Sequence, residues 1–209
     1  MANELTFYTS PMSRGRTVRW LLEEMGVPYE TVLLDFRSTM KGDDYKRINP
    51  IGKVPAIVHR GHVVTETAAI ILYLADAYPD AKLGPTADER ADYYRWILFA
   101  AGPAEQGMLN RFLGFEIPPE RQAMIGYGNF DRLVDALEHG VAAHEYIAGD
   151  RFTAADVYVG AQLNFGLEAG MLPKREIFQN YVARLWSRPA HVRARGIDDA
   201  LLAKQKAGG

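Results

Sequence analysis

The chain has 209 residues, of which 48% are hydrophobic and 24% charged, a usage ordinary for a globular protein and ample for a buried core. The net charge of -2 supplies no strong field toward nucleic acid or an anionic membrane, and neither is expected as a partner. Cysteine is absent, which excludes a disulfide, a protein thiol nucleophile and thiol–disulfide exchange through the protein's own sulfur.

The start, Met1-Ala2-Asn3-Glu4, is not a basic stretch followed by an apolar run, and no apolar stretch approaches the length of a membrane span. A soluble, cytoplasmic protein is the resulting expectation. Leu5 to Thr9 reads as a first strand, and Ser10-Pro11-Met12-Ser13 as a loop. Arg14 to Met25 carries Val18, Leu21, Leu22 and Met25 at helical spacing, with Gly26 as its stop. Tyr29 to Asp35 is rich in β-formers, so the chain opens β-α-β, with a parallel strand pair.

A short helix is expected near Asp43 to Ile48, then a strand from Val54 to His59. Arg60-Gly61 suits a tight hairpin, and His62 to Thr65 returns as a fourth strand. Thr67 to Tyr78 is helical by the spacing of Ala68, Ile71, Leu72 and Ala75. Residues 79–88, with two prolines and a glycine, read as a linker. Beyond it the pattern is helical: 88–101, 105–115, 119–146, 154–169, 175–186 and 190–204. The expected architecture is a small α/β domain of βαβ-ββα order over 1–78, followed by an all-α bundle over 89–209.

Two segments carry chemistry. In Asn49-Pro50-Ile51-Gly52-Lys53-Val54-Pro55, a proline opening a strand cannot donate to the ladder. A cis Val54–Pro55 bond would leave the Val54 N–H and C=O turned outward, free to pair with a peptide-like ligand as an added strand. The alternative is a proline that only starts an edge strand. In Val64-Thr65-Glu66-Thr67-Ala68, a strand ends and a helix begins. Exposed N–H groups there favour a carboxylate, the Thr67 hydroxyl adds a donor, and the Glu66 carboxylate suits an ammonium group. A γ-glutamyl group has that pair of charges; ordinary capping by Thr65 or Thr67 is the structural alternative.

Some ten residues and a hairpin separate the two segments. The run NPIGKVPAI, a hairpin, then TETAAIILYL resembles the glutathione site of cytosolic glutathione transferases of bacterial type. The opening FYTSPMSRGRTVRWLLEEMGVPYE is similar to that family's first strand and helix, and GDRFTAAD, ending at Asp156, to its helix-capping motif, in which Thr153 and Asp156 form a capping box. The resemblance covers nearly the whole chain. It implies a thioredoxin-like first domain, a C-terminal helical bundle and glutathione as co-substrate, with no metal or redox cofactor.

The resemblance also implies site residues. Val54, placed by a cis Pro55, would pair with the cysteinyl backbone of glutathione. Glu66 and Thr67 would bind its γ-glutamyl end, and Lys53 and Lys41 its glycyl carboxylate. The glutathione thiol would be activated as thiolate by a hydroxyl: Ser13, Tyr8 or Ser10. A strict count back from Val18 reaches Met12 for the serine type, which cannot donate, and Tyr8 for the tyrosine type. The small hydrophobic electrophile is expected between the Ser10–Arg14 loop and the first helices after the linker, with Met12, Trp96, Phe99, Met108 and Phe112 as its contacts or as plain core. A transferase acting in detoxification, usually a homodimer, is the leading implication. Peroxidase, isomerase or dehalogenase chemistry on the same thiolate, and a non-catalytic binding module, are the alternatives.

Overall fold

A computed structural model describes residues 4–207, so the reading of Met1-Ala2-Asn3 and the two terminal glycines lie outside the described residues. The chain divides into two compact units, Met1–Lys82 with Ser187–Gly209, and Leu83–Trp186.

The first unit is built on a four-stranded sheet of order β2-β1-β3-β4. Strand β1 (Leu5–Thr9) pairs in parallel with β2 (Glu30–Leu33) and antiparallel with β3 (Ala56–His59), which pairs antiparallel with β4 (His62–Thr65). Between β1 and β2 runs α1 (Gly15–Met25), closed by Gly26 at φ 64°, whose N–H donates to the Leu22 carbonyl at 3.0 Å. Left-handed backbone at Arg60 (φ 51°) and Gly61 (φ 82°) makes the expected hairpin turn. A short helix α2 (Asp43–Lys46) precedes β3, and α3 (Thr67–Ala77) follows β4.

Alternation along β1 sorts its side chains to two faces. Leu5, Phe7 and Thr9 are fully buried, while Tyr8 is half-buried on the opposite face. There Tyr8 packs against a cluster of Leu34, Met40, Tyr45 and Ala56. On the other face the Arg19 guanidinium lies over the Phe7 ring, 5.2 Å from its centre. Strand β3 begins at Ala56 rather than Val54 because Pro55 has no N–H for the ladder.

The last helix, α9 (Pro189–Ala207), belongs to this first unit. It runs beside α1 and is tied to it by three ion pairs, Arg16–Asp199 at 2.8 Å, Arg19–Asp198 at 2.9 Å and Glu23–Arg193 at 3.4 Å, while Arg188, just before its first residue, pairs with Glu24 at 2.7 Å. Trp20 meets His191 edge to face. The helical domain expected over 89–209 therefore loses its last helix to the first unit, because the partners of its charges lie on α1.

The second unit is helical: α4 (Arg90–Phe99), α5 (Glu105–Phe112), α6 (Phe130–Ala143), α7 (Ala154–Glu168) and α8 (Glu176–Trp186). Two boundaries differ from expectation. Helices α4 and α5 are not separated at Pro103; a π-helical turn over Ala100–Ala104 joins them and accommodates the proline. The helix expected over 119–146 is broken. A 3₁₀ segment (Pro119–Met124) ends before Gly126-Tyr127-Gly128, and Asn129 then starts α6 by accepting the Arg132 N–H at 2.9 Å.

At the start of α7 the expected capping box is present. The buried Asp156 carboxylate accepts four hydrogen bonds, from the N–H groups of Ile147 and Thr153 and the hydroxyls of Thr153 and Tyr181. No helix among the described residues is long and apolar enough to cross a membrane.

Candidate functional site

Strand register brings the sequence motifs together. Tyr8 pairs with Ala56, and Ala56 with Thr65. The segment leaving β1, the Val54-Pro55 segment entering β3 and the Glu66-Thr67 segment leaving β4 therefore lie at one end of the sheet. All of these residues belong to the first unit.

The Val54–Pro55 peptide is cis. The ladder registers end at Ala56, so the half-buried Val54 stands outside the paired sheet. The loop before it is held from below. The Lys53 carbonyl accepts from the Tyr45 hydroxyl at 2.6 Å and from Asn49 Nδ2 at 2.8 Å. Burial pushes the Tyr45 phenol up to about 12, so it remains a donor. Gly52 sits at φ 63°, where a Cβ would stand 2.9 Å from the Met40 carbonyl oxygen, so this corner requires glycine. Lys41 Nζ donates to the Gly52 carbonyl at 2.7 Å, clasping the loop, while the Lys53 side chain is exposed.

Glu66 has φ 66° and ψ 121°, a conformation that L-residues rarely hold and that costs on the order of 1–3 kcal/mol. It stands at the start of α3, which among the described residues has no side-chain cap. Neither Thr65 nor Thr67 performs the ordinary capping considered as the alternative. The first N–H groups of α3 are thus left for a partner outside the helix, with the exposed Glu66 carboxylate beside them.

The three hydroxyls differ in placement. Ser13 is half-buried; its hydroxyl donates to the Ser10 carbonyl at 2.7 Å and accepts the Gly15 N–H at 3.0 Å. Ser10 is only 3% exposed. Tyr8 packs its ring against Tyr45 at 5.7 Å. Gly15 is forced by the same corner, since a Cβ there would fall 1.9 Å from Thr9 Oγ1. Sequence reasoning missed Tyr45 and Asn49 as loop supports, although their four-residue spacing was available as a signal.

The proposed electrophile contacts divide in the same way. Met12, in the first unit, is 68% exposed. Within the second unit Trp96 and Met108 are core residues, 4% and 1% exposed, so their spacing reported a buried stripe. Phe99 is half-buried against Trp96, and Phe112 is 62% exposed.

Residues 3–76 match the family described as glutathione S-transferase, N-terminal domain. A glutathione S-transferase of Xanthomonas campestris pv. campestris is 30% identical over 175 residues, covering 80% of this chain and 85% of the relative. The chain belongs to the glutathione S-transferase family. Among solved structures, a glutathione transferase from Methylococcus capsulatus has a TM-score of 0.76 at 26% identity, covering 94% of this chain and 99% of that one. A theta class glutathione S-transferase from Xanthomonas axonopodis pv. citri, solved with glutathione bound, has a TM-score of 0.73 at 27% identity and covers 92% and 97%. The matched residues 3–76 of this glutathione S-transferase contain all four strands of the sheet.

Proposed function

We propose that the protein binds glutathione at this end of the sheet and conjugates it, through its sulfur, to small hydrophobic electrophiles. The observation that carries the proposal is the start of α3 at the strained Glu66, which has no side-chain cap among the described residues, at the same sheet end as Val54, whose backbone lies beyond the paired ladder. Val54 N–H and C=O pair with the cysteinyl backbone, the α3 N–H groups and Thr67 receive the γ-glutamyl carboxylate, and Glu66 holds its ammonium. Lys53 meets the glycyl carboxylate. Lys41 can share in this only while keeping its bond to Gly52, for which an ammonium has donors enough.

A free thiol has a pKa of about 8.5, so a donated hydrogen bond is needed to populate the thiolate at neutral pH. Ser13 fits that task best. The Ser10 carbonyl that now receives its hydroxyl also receives the Ser13 N–H at 3.0 Å, so the hydroxyl can turn to sulfur without orphaning its acceptor. Ser10 is enclosed and Tyr8 is committed to packing. The thiolate then attacks an electrophilic carbon and expels its leaving group, the positive end of the α1 dipole adding to the anion's stability.

A detoxifying role, a two-fold homodimer and action in the cytoplasm belong to the same proposal and rest on family membership. Two measurements test its centre: retention on immobilised glutathione and conjugation of a standard aryl halide. Failure to bind at millimolar glutathione refutes it, while binding without conjugation reduces the protein to a binding module. Light scattering decides the dimer.

A further inference from the structure

The Ser10–Ser13 segment is a β-turn, closed by the Ser13 N–H to the Ser10 carbonyl, with Pro11 and Met12 at its centre. The peptide between two central turn residues can rotate as a unit, exchanging one turn type for another without breaking the closing bond. Such a rotation would carry Met12, which is not in the left-handed region, to positive φ, and it would break a contact that holds the peptide in place: Arg16 Nε donates to the Pro11 carbonyl at 2.6 Å. The same guanidinium donates through Nη2 to Asp199 Oδ1 at 2.8 Å, and Asp199 lies on α9. Arg195 approaches the other Asp199 oxygen at 3.5 Å. The Arg16 hydrogen bond holds the Asp199 carboxyl below its ordinary value, so the acceptor is a carboxylate.

We infer that Asp199 and Arg16 are positioning residues: the C-terminal helix, acting through the Arg16 fork, fixes the orientation of the Pro11–Met12 peptide and so the geometry of the loop that presents Ser13. The inference rests on the proposed glutathione chemistry for its functional half. Both side chains are substantially exposed, at 36% and 51%, and exposed ion pairs contribute little stability. The pair's effect is therefore orientational. A fork is required, because one donor must reach a backbone carbonyl while another reaches a carboxylate in fixed mutual geometry; a lysine ammonium on a flexible stem does not supply that. The Arg193–Glu23 pair, by contrast, lies at the far end of α1 from the turn.

The test compares Asp199→Ala, Arg16→Lys, Asp199→Glu and, as a control on the same helix pair, Arg193→Gln. Hydrogen exchange of the unliganded protein is read over residues 12–16, and the ultraviolet absorbance of the bound glutathione thiolate is followed against pH. Asp199→Ala and Arg16→Lys should each speed exchange in that segment about three- to ten-fold. They should also raise the apparent thiol pKa by about half a unit, a roughly three-fold loss of thiolate well below that pKa. Asp199→Glu should restore both, and Arg193→Gln should change neither. Unchanged exchange in Asp199→Ala, or an equal change in Arg193→Gln, overturns the inference. If exchange responds as expected but wild-type protein holds no glutathione thiolate, the lock stands and the transferase reading is what fails.

Discussion

Replacing Asp156 tests how much one buried carboxylate contributes to the second unit. Oδ1 accepts the Ile147 N–H at 2.8 Å and the Tyr181 hydroxyl at 2.7 Å; Oδ2 accepts the Thr153 N–H at 2.8 Å and the Thr153 hydroxyl at 3.0 Å. Burial pushes this carboxyl above its ordinary value, and the four donated bonds pull against that rise. In Asp156→Asn, one oxygen becomes an NH₂ donor. Whichever oxygen is replaced, a hydroxyl can turn round and accept, but one backbone N–H faces a donor. A single buried orphan costs about 1–3 kcal/mol, so a loss of about 2 kcal/mol is expected. Asp156→Ala orphans both backbone N–H groups and the Tyr181 hydroxyl, for about 4 kcal/mol. Tyr181→Phe removes one donor and leaves the others satisfied, for about 1 kcal/mol. Urea unfolding followed by circular dichroism should rank the three in that order, and Asp156→Ala should lower Tm by about 10 °C. An Asp156→Ala protein within 1 kcal/mol of wild type, or equal losses in the Asn and Ala variants, would refute the reasoning.

Gly15→Ala should destabilise the first unit by about 1–3 kcal/mol through its clash with Thr9 Oγ1, and adding Thr9→Ala should recover part of that loss in a double-mutant cycle. Ser13→Ala should lower kcat/KM for aryl-halide conjugation by about ten- to a hundred-fold, mainly in kcat, whereas Tyr8→Phe should stay within about three-fold; the reverse ranking would assign the thiol to Tyr8. Stability should fall as pH drops below about 6.5, because His59, buried between the Tyr73 and Tyr78 hydroxyls, has its pKa lowered chiefly by burial, so the unfolded chain takes up that proton first. His59→Gln should flatten this dependence in urea midpoints measured at pH 5.5 and 7.5. The opposite sign applies to Tyr45: its contribution is lost as pH rises from about 10 toward about 12, and Tyr45→Phe should remove one late-titrating phenol from the ultraviolet titration.

Much of the architecture was legible because its signals are local. The alternation of Leu5, Phe7 and Thr9, the Arg60-Gly61 turn, the Gly26 stop and the Thr153–Asp156 box each depend on residues a few positions apart. The errors have equally specific causes. Pro103 reads as a breaker, yet a π-turn absorbs it once the helix has neighbours to pack against. The 119–146 stretch reads as one helix because its composition is helical, while Gly126, Gly128 and the Asn129 cap decide otherwise. Met108 and Phe112 have the same residue spacing to offer a ligand, yet one is core and the other is exposed.

The sequence by itself determined the order of strands and helices, the proline-bearing strand entry at Val54-Pro55 and the charged helix start at Glu66-Thr67, since these are written in contiguous residues. Only the tertiary structure decided that the two meet at one end of the sheet, because strand register depends on pairing across the chain. It also decided that Ser13 closes a turn rather than standing free, and that the last helix returns to the first unit. Arg16, Arg19, Glu23 and Glu24 find their opposite charges some 160 to 180 residues away, a separation at which periodicity and spacing carry no information.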